Sequence, residues 1–93
     1  MFFTYILFSE KLNRFYIGTT DDVEKRLLEH NSVFYSNSFT SKGIPWELKF
    51  TYACDSSKQA YDLERFIKKM KSRKFIERFI EDERIIIDVA SKL

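Results

Sequence analysis

The chain has 93 residues, 44% of them hydrophobic and 17% aromatic, with ten Phe, five Tyr, two Gly and one Pro. That excludes a linker, a disordered tail or a low-complexity segment, and it suits one domain with a core just large enough to fold alone. A net charge of +2 selects no partner by itself, while a single cysteine excludes an internal disulfide and fits a reducing, cytoplasmic setting.

The opening "MFFTYILF" is apolar but has no basic flank and is too short to span a bilayer, so no membrane is expected. It reads as a buried strand, Phe2–Phe8. The polar "SEKLN" then turns the chain, and Arg14–Ile17 returns as the second strand of a hairpin. Asp21 is a good N-cap, with Glu24 three residues on completing a capping box, for a helix to about Asn31. Val23 and Leu27 are expected on its core side. Residues 32–43, "SVFYSNSFTSKG", read as a polar loop in which Phe34, Tyr35 and Phe39 need cover.

"PWELKFTYAC" alternates as a third strand, with Trp46, Leu48, Phe50 and Tyr52 on one face and Cys54 as a small buried residue. Ser56 or Ser57 caps a second helix whose Ala60, Leu63, Ile67 and Met70 form an apolar stripe. Ser72 opens a shorter helix with Phe75, Ile76, Phe79 and Ile80 inward. Ile85–Val89 is apolar, and its periodicity assigns it to neither class. The order is β-β-α-β-α-α, an α/β chain of the α+β kind, with a small three-stranded antiparallel sheet flanked by helices. One domain is expected over residues 1–82, with residues 83–93 as a C-terminal extension.

Charge is segregated toward the end of the chain. "RFIKKMKSRK" holds Arg65, Lys68, Lys69, Lys71, Arg73 and Lys74 with no acid among them, and Glu77, Glu81, Asp82 and Glu83 follow. Such a run is either a solvated helix face or a surface that meets a polyanion.

Most catalytic patterns are absent. One His and one Cys support neither a Cys/His zinc site nor a Cys-His pair, and Gly18 and Gly43 are too far apart for a phosphate loop. What remains is tyrosine, arginine, histidine and a helix carboxylate. That set is poor for acyl transfer and adequate for phosphodiester cleavage. An arginine can hold phosphate oxygens, a carboxylate can anchor a divalent metal, and a phenol or imidazole can handle a proton.

"FTYIL" followed by "FYIGTTDDVEKRLLEHN" resembles the opening of the GIY-YIG endonuclease domain, and in particular its small stand-alone bacterial members. Tyr5 takes the tyrosine of the first motif, Tyr16 stands eleven residues on within "YIG", and Arg26 and His30 follow ten and fourteen residues later. "FTSKGIPWELKF" resembles the family's loop and third strand, and "AYDLERFIKK" its second helix, whose glutamate is Glu64. Two departures stand out. The first motif reads Phe3-Thr4-Tyr5, and "MKSRKF" stands where many family nucleases carry an asparagine.

The resemblance implies a DNA endonuclease with one Mg²⁺ or Mn²⁺ on Glu64. Tyr16 would activate water, Tyr5 would orient it, Arg26 would hold the scissile phosphate, and His30 would assist with a proton or phosphate contact. Lys42 and the 65–74 basic run would track the DNA backbone in a salt-sensitive way. The residues themselves leave other readings open. A lone strand tyrosine usually packs, a helical arginine or histidine is usually at the surface, and Glu64 can simply pair with Lys68 at i,i+4. Gly18 is expected to permit a tight turn between strand and helix. The chain is read as a monomer or weak homo-oligomer. The alternatives are a binding module of the same fold beside a protein partner, or an interaction domain using the aromatic loop 34–39.

Overall fold

The computed structural model describes residues 1–32 and 38–93, and of Ser38 and Phe39 the backbone alone. The aromatic loop 34–39 therefore lies outside the described side chains. Among the described residues the elements run β1 Phe2–Ser9, β2 Arg14–Thr20, α1 Val23–His30, α2 Ser38–Lys42, β3 Trp46–Cys54, α3 Ser57–Met70, α4 Arg73–Glu81 and α5 Glu83–Ser91. The expected β-β-α-β-α-α order is present, with the short α2 ahead of β3 and α5 added at the end.

The three strands form one antiparallel sheet in the order β2-β1-β3, with β1 central. Side chains of β1 alternate between two cores. Ile6 joins Ile17, Leu63, Ile67, Phe79 and Ile86 under α3, α4 and α5, whereas Tyr5 and Leu7 face the other way with Trp46 and Leu27. The Thr4 and Thr19 hydroxyls both donate to the Ala60 carbonyl, at 2.9 and 3.3 Å, and pin the start of α3 to the sheet. Cys54 is buried in β3 as expected, where burial pushes its thiol up.

Four details of the sequence reading change. The N-cap of α1 is Asp22, whose carboxylate accepts from the Lys25 N–H, and not Asp21. Trp46 and Leu48 do not share a face with Phe50 and Tyr52. A bulge between Ile6 and Leu7 slips β3, so that Ile6 lies opposite Phe50 but Leu7 lies opposite Leu48, and a one-residue slip reverses every side chain beyond it. Part of the loop over residues 32–43 is helical, as α2. The apolar Ile85–Val89 lies in α5, which buries Ile86 and Ala90 and accepts a 3.1 Å hydrogen bond from Gln59 Nε2 at the Ala90 carbonyl. Among the described residues no helix is long and apolar enough to cross a membrane.

Candidate active site

The hairpin register sets Tyr5 opposite Gly18 and Leu7 opposite Tyr16, so both tyrosines project from the same sheet face, diagonal to each other. Gly18 is neither at a turn nor in the left-handed region. It lies inside β2 with an ordinary strand backbone, which corrects the turn assignment. Its role is close approach, because a Cβ there would stand 2.4 Å from the Tyr5 hydroxyl oxygen and 2.5 Å from its Cζ. The Tyr5 ring lies across the bare backbone of Gly18, and only glycine leaves that path open. Gly18→Ala should therefore displace Tyr5 and destabilise the fold by about 1–3 kcal/mol, read from the urea midpoint.

The path leads to α1. Val23, Leu27 and His30 share one helical stripe, and His30 is the residue of α1 that is buried, 5% exposed. This differs from the surface position expected of a lone helical histidine. The Tyr5 hydroxyl and His30 Nε2 are 3.0 Å apart, and Tyr16 meets the imidazole edge-on with centroids 4.7 Å apart. Burial pushes the Tyr5 phenol up to about 12, opposed by a hydrogen bond from Arg26 and assisted by the charges of Tyr16 and Glu64. Burial likewise lowers His30, with Arg26 adding to the effect and Glu29 opposing it. Both groups are neutral near pH 7. The phenol and the imidazole thus share a hydrogen bond between neutral groups, its direction set by which ring nitrogen carries the proton.

The lowered His30 pKa has a consequence for stability. The unfolded chain takes up a proton near the ordinary value of 6.5 that the folded protein takes up only at lower pH. Stability is thus complete above that value and is lost as pH falls through the folded one. The urea midpoint should drop between pH 7.5 and pH 5, and His30→Gln should shrink that difference.

Arg26 stands four residues before His30 on the rim, with its guanidinium paired to Glu29 at 3.4 Å and about half exposed. Behind the tyrosines, Trp46 packs at 6.0 Å from the Tyr16 centroid. Asn31 fixes it through two backbone bonds, accepting from the Trp46 N–H at 2.6 Å and donating to the Trp46 carbonyl at 3.0 Å. The indole N–H donates to the Thr40 carbonyl at 2.7 Å and ties α2, which carries the exposed Lys42, to the site. These supports were not singled out in the sequence. Asn31 reads there only as a helix end, although its amide matches the donor and acceptor of a backbone unit.

Glu64 is not in the tyrosine cluster itself. It lies on α3, which covers the opposite sheet face, next to the buried Leu63 and with its side chain 20% exposed. Its carboxylate accepts from Lys68 Nζ at 2.8 Å, the i,i+4 pair, while its charge still raises Tyr5. The basic run is dispersed. Arg65 leans on Asp62 at 3.8 Å, and Lys69 and Lys74 are exposed. Lys71 ends α3 in the left-handed region with φ 50°. Arg73 is fixed by Glu77 at 3.2 Å, and it lies 5.6 Å from the ring centroids of both Phe8 and Phe15.

The site is thus an antiparallel hairpin that presents two phenols toward the histidine of the next helix, with Arg26 on the rim and Glu64 on the helix behind, in an α+β domain. The chain matches the GIY-YIG catalytic domain model over residues 1–77, and it belongs to that family. It is also 35% identical over 69 residues to a UPF0213 protein of Bacillus licheniformis, a stretch that covers 74% of this chain and 69% of that one. No solved structure matches.

Proposed function

We propose that this protein is a divalent-cation-dependent DNA endonuclease that recognises DNA structure rather than sequence, of the kind that serves repair and recombination in the cytoplasm. The observation that carries the reading is the convergence of Tyr5, Tyr16, Arg26 and His30, with Tyr5 and His30 3.0 Å apart.

The donor set suits one Mg²⁺ or Mn²⁺. Among the described residues no three His, Cys, Asp or Glu side chains stand together. Glu64 offers a hard oxygen donor whose present counter-ion, Lys68, sits on a flexible and half-exposed stem. Glu64 would hold the cation, with water and phosphate completing its shell. Bound there, the ion would offset the charge that develops on the phosphate and the leaving oxygen.

The chain's own residues do the rest. Arg26 grips two phosphate oxygens with its planar fork. Tyr16 takes the proton of the attacking water. Tyr5, whose proton burial holds more tightly, orients the site through its hydrogen bond with His30. Lys42, Arg65, Lys69, Lys71 and Lys74 contact the backbone without reading bases.

A second reading is a binding module of the same fold, with a protein partner supplying the chemistry. The Lys68 ammonium on the Glu64 carboxylate and the absent family asparagine favour it. Purified protein incubated with supercoiled plasmid and with branched DNA, in Mg²⁺ and in EDTA, decides between them. The endonuclease should give nicked circles only in Mg²⁺. Intact DNA alongside salt-sensitive binding would favour the binding module.

A further inference from the structure

We propose that Lys68 is shared between the Glu64 carboxylate and a phosphodiester-binding groove along the β2 edge, and that it passes to the groove when a divalent cation occupies Glu64. The proposal rests on the nuclease reading and assigns the groove a role of its own.

The groove lies between the start of β2 and the α3–α4 corner and has a volume of about 320 Å³. Arg14, Lys68, Lys71 and Arg73 line it with Ser72, over an apolar floor of Phe15, Ile17, Ile67 and Ile76, and no acid is among the lining residues. Arg14 lies outside the basic run seen in the sequence, and only the fold brings it there. Arg73 is a fixed wall, because its Nη1 donates to the Asn13 carbonyl at 3.3 Å while Nε holds Glu77. The left-handed Lys71 turns the chain so that Ser72, the N-cap of α4, opens toward the groove. The amide end of that nine-residue helix adds to the field of four cations.

Lys68 belongs to both places. It lines the groove, yet its ammonium is committed to Glu64 at 2.8 Å, and its side chain is 52% exposed. An exposed i,i+4 ion pair is weak and exchanges readily. A dication at Glu64 would take the oxygen that Lys68 uses and repel its ammonium, and a backbone phosphate in the groove would offer a replacement acceptor. Without metal, Lys68 would neutralise Glu64. With metal, the groove would gain a cation.

The test is binding, without cleavage. The affinity of a labelled DNA duplex is measured by anisotropy across a NaCl series in EDTA, for the parent, Glu64→Gln, Lys68→Met and the double variant. Glu64→Gln should release Lys68, tighten binding several-fold and steepen the salt slope by about 0.9, the value for one added phosphate contact. That gain should vanish in the Lys68→Met background. Calcium at matched ionic strength should steepen the parent's slope likewise and leave that of Lys68→Met unchanged. An equal gain in the Lys68→Met background would mean that losing the Glu64 charge is sufficient, and would overturn the shared lysine. Calcium acting alike on both proteins would do the same. A parent that binds no DNA would remove the nuclease reading as well, whereas binding with unaltered slopes would remove only the shared lysine.

Discussion

Glu64→Gln should keep the fold and DNA binding while lowering cation-dependent nicking by about 10³-fold, the several kcal/mol that a bound dication supplies. The substitution keeps the length of the side chain and its helix propensity. Glu64 sits beside the apolar stripe of α3, so Leu63 and Ile67 remain packed beneath it. Among the described residues its carboxylate pairs with Lys68, half exposed, and such a pair is worth a few tenths of a kcal/mol. The urea midpoint should hardly move, so lost cleavage would reflect lost chemistry. Single-turnover nicking in Mg²⁺ and in Mn²⁺ measures it, with circular dichroism as the check on folding. Cleavage by Glu64→Gln at the parent rate would sink the assignment, because the activity would then come from another site or another protein.

The parts of the molecule that the sequence discloses are those governed by local rules. The hairpin over "EKLN" follows from two runs of alternating residues, and alternation sets the two tyrosines on one face once their register is right. The stripe of α3 is legible for the same reason, since Ala60, Leu63 and Ile67 recur at the period of a helix and are all fully buried, whereas Met70 at the helix end is 44% exposed. That stripe already places Glu64 at its border.

What stayed hidden depends on contacts between distant segments. A glycine just before "TTD" looks like punctuation, but Gly18 is required by the Tyr5 ring, thirteen residues earlier in the chain. His30 looks like a solvated helix end until the sheet is in place to bury it, although its spacing from Val23 and Leu27 carried the signal. The β3 bulge leaves no mark on the pattern of that strand, because Trp46, Leu48, Phe50 and Tyr52 alternate without a break and only pairing with β1 divides them. Three consecutive isoleucines defeat any period in α5, and burial of Ile86 with exposure of Ile87 appears only from the packing. Arg14 escapes notice because it is isolated in sequence from the cations that it joins in space.

The two phenols should separate when each loses its oxygen. Tyr16→Phe should slow single-turnover cleavage by about 10²-fold or more, since the variant lacks the group that takes the proton of water. Its ring remains to meet His30 and Trp46 edge-on. Tyr5→Phe acts on the opposite quantity. The ring still lies over Gly18, but the buried His30 Nε2 loses its hydrogen-bond partner. A buried polar group left unsatisfied costs about 1–3 kcal/mol, so Tyr5→Phe should lower the urea midpoint clearly and slow cleavage less than Tyr16→Phe does. The alkaline behaviour differs as well. The folded protein holds the Tyr5 proton up to about 12 against an ordinary value of 10, so this phenol contributes stability below 10 that fades as pH rises through 12. Tyr5→Phe should remove that alkaline limb of the stability curve, and Tyr16→Phe should retain it. Equal losses of cleavage from the two variants, with both fully folded, would mean that the phenols share the proton-handling role and would overturn their division into base and orienting group.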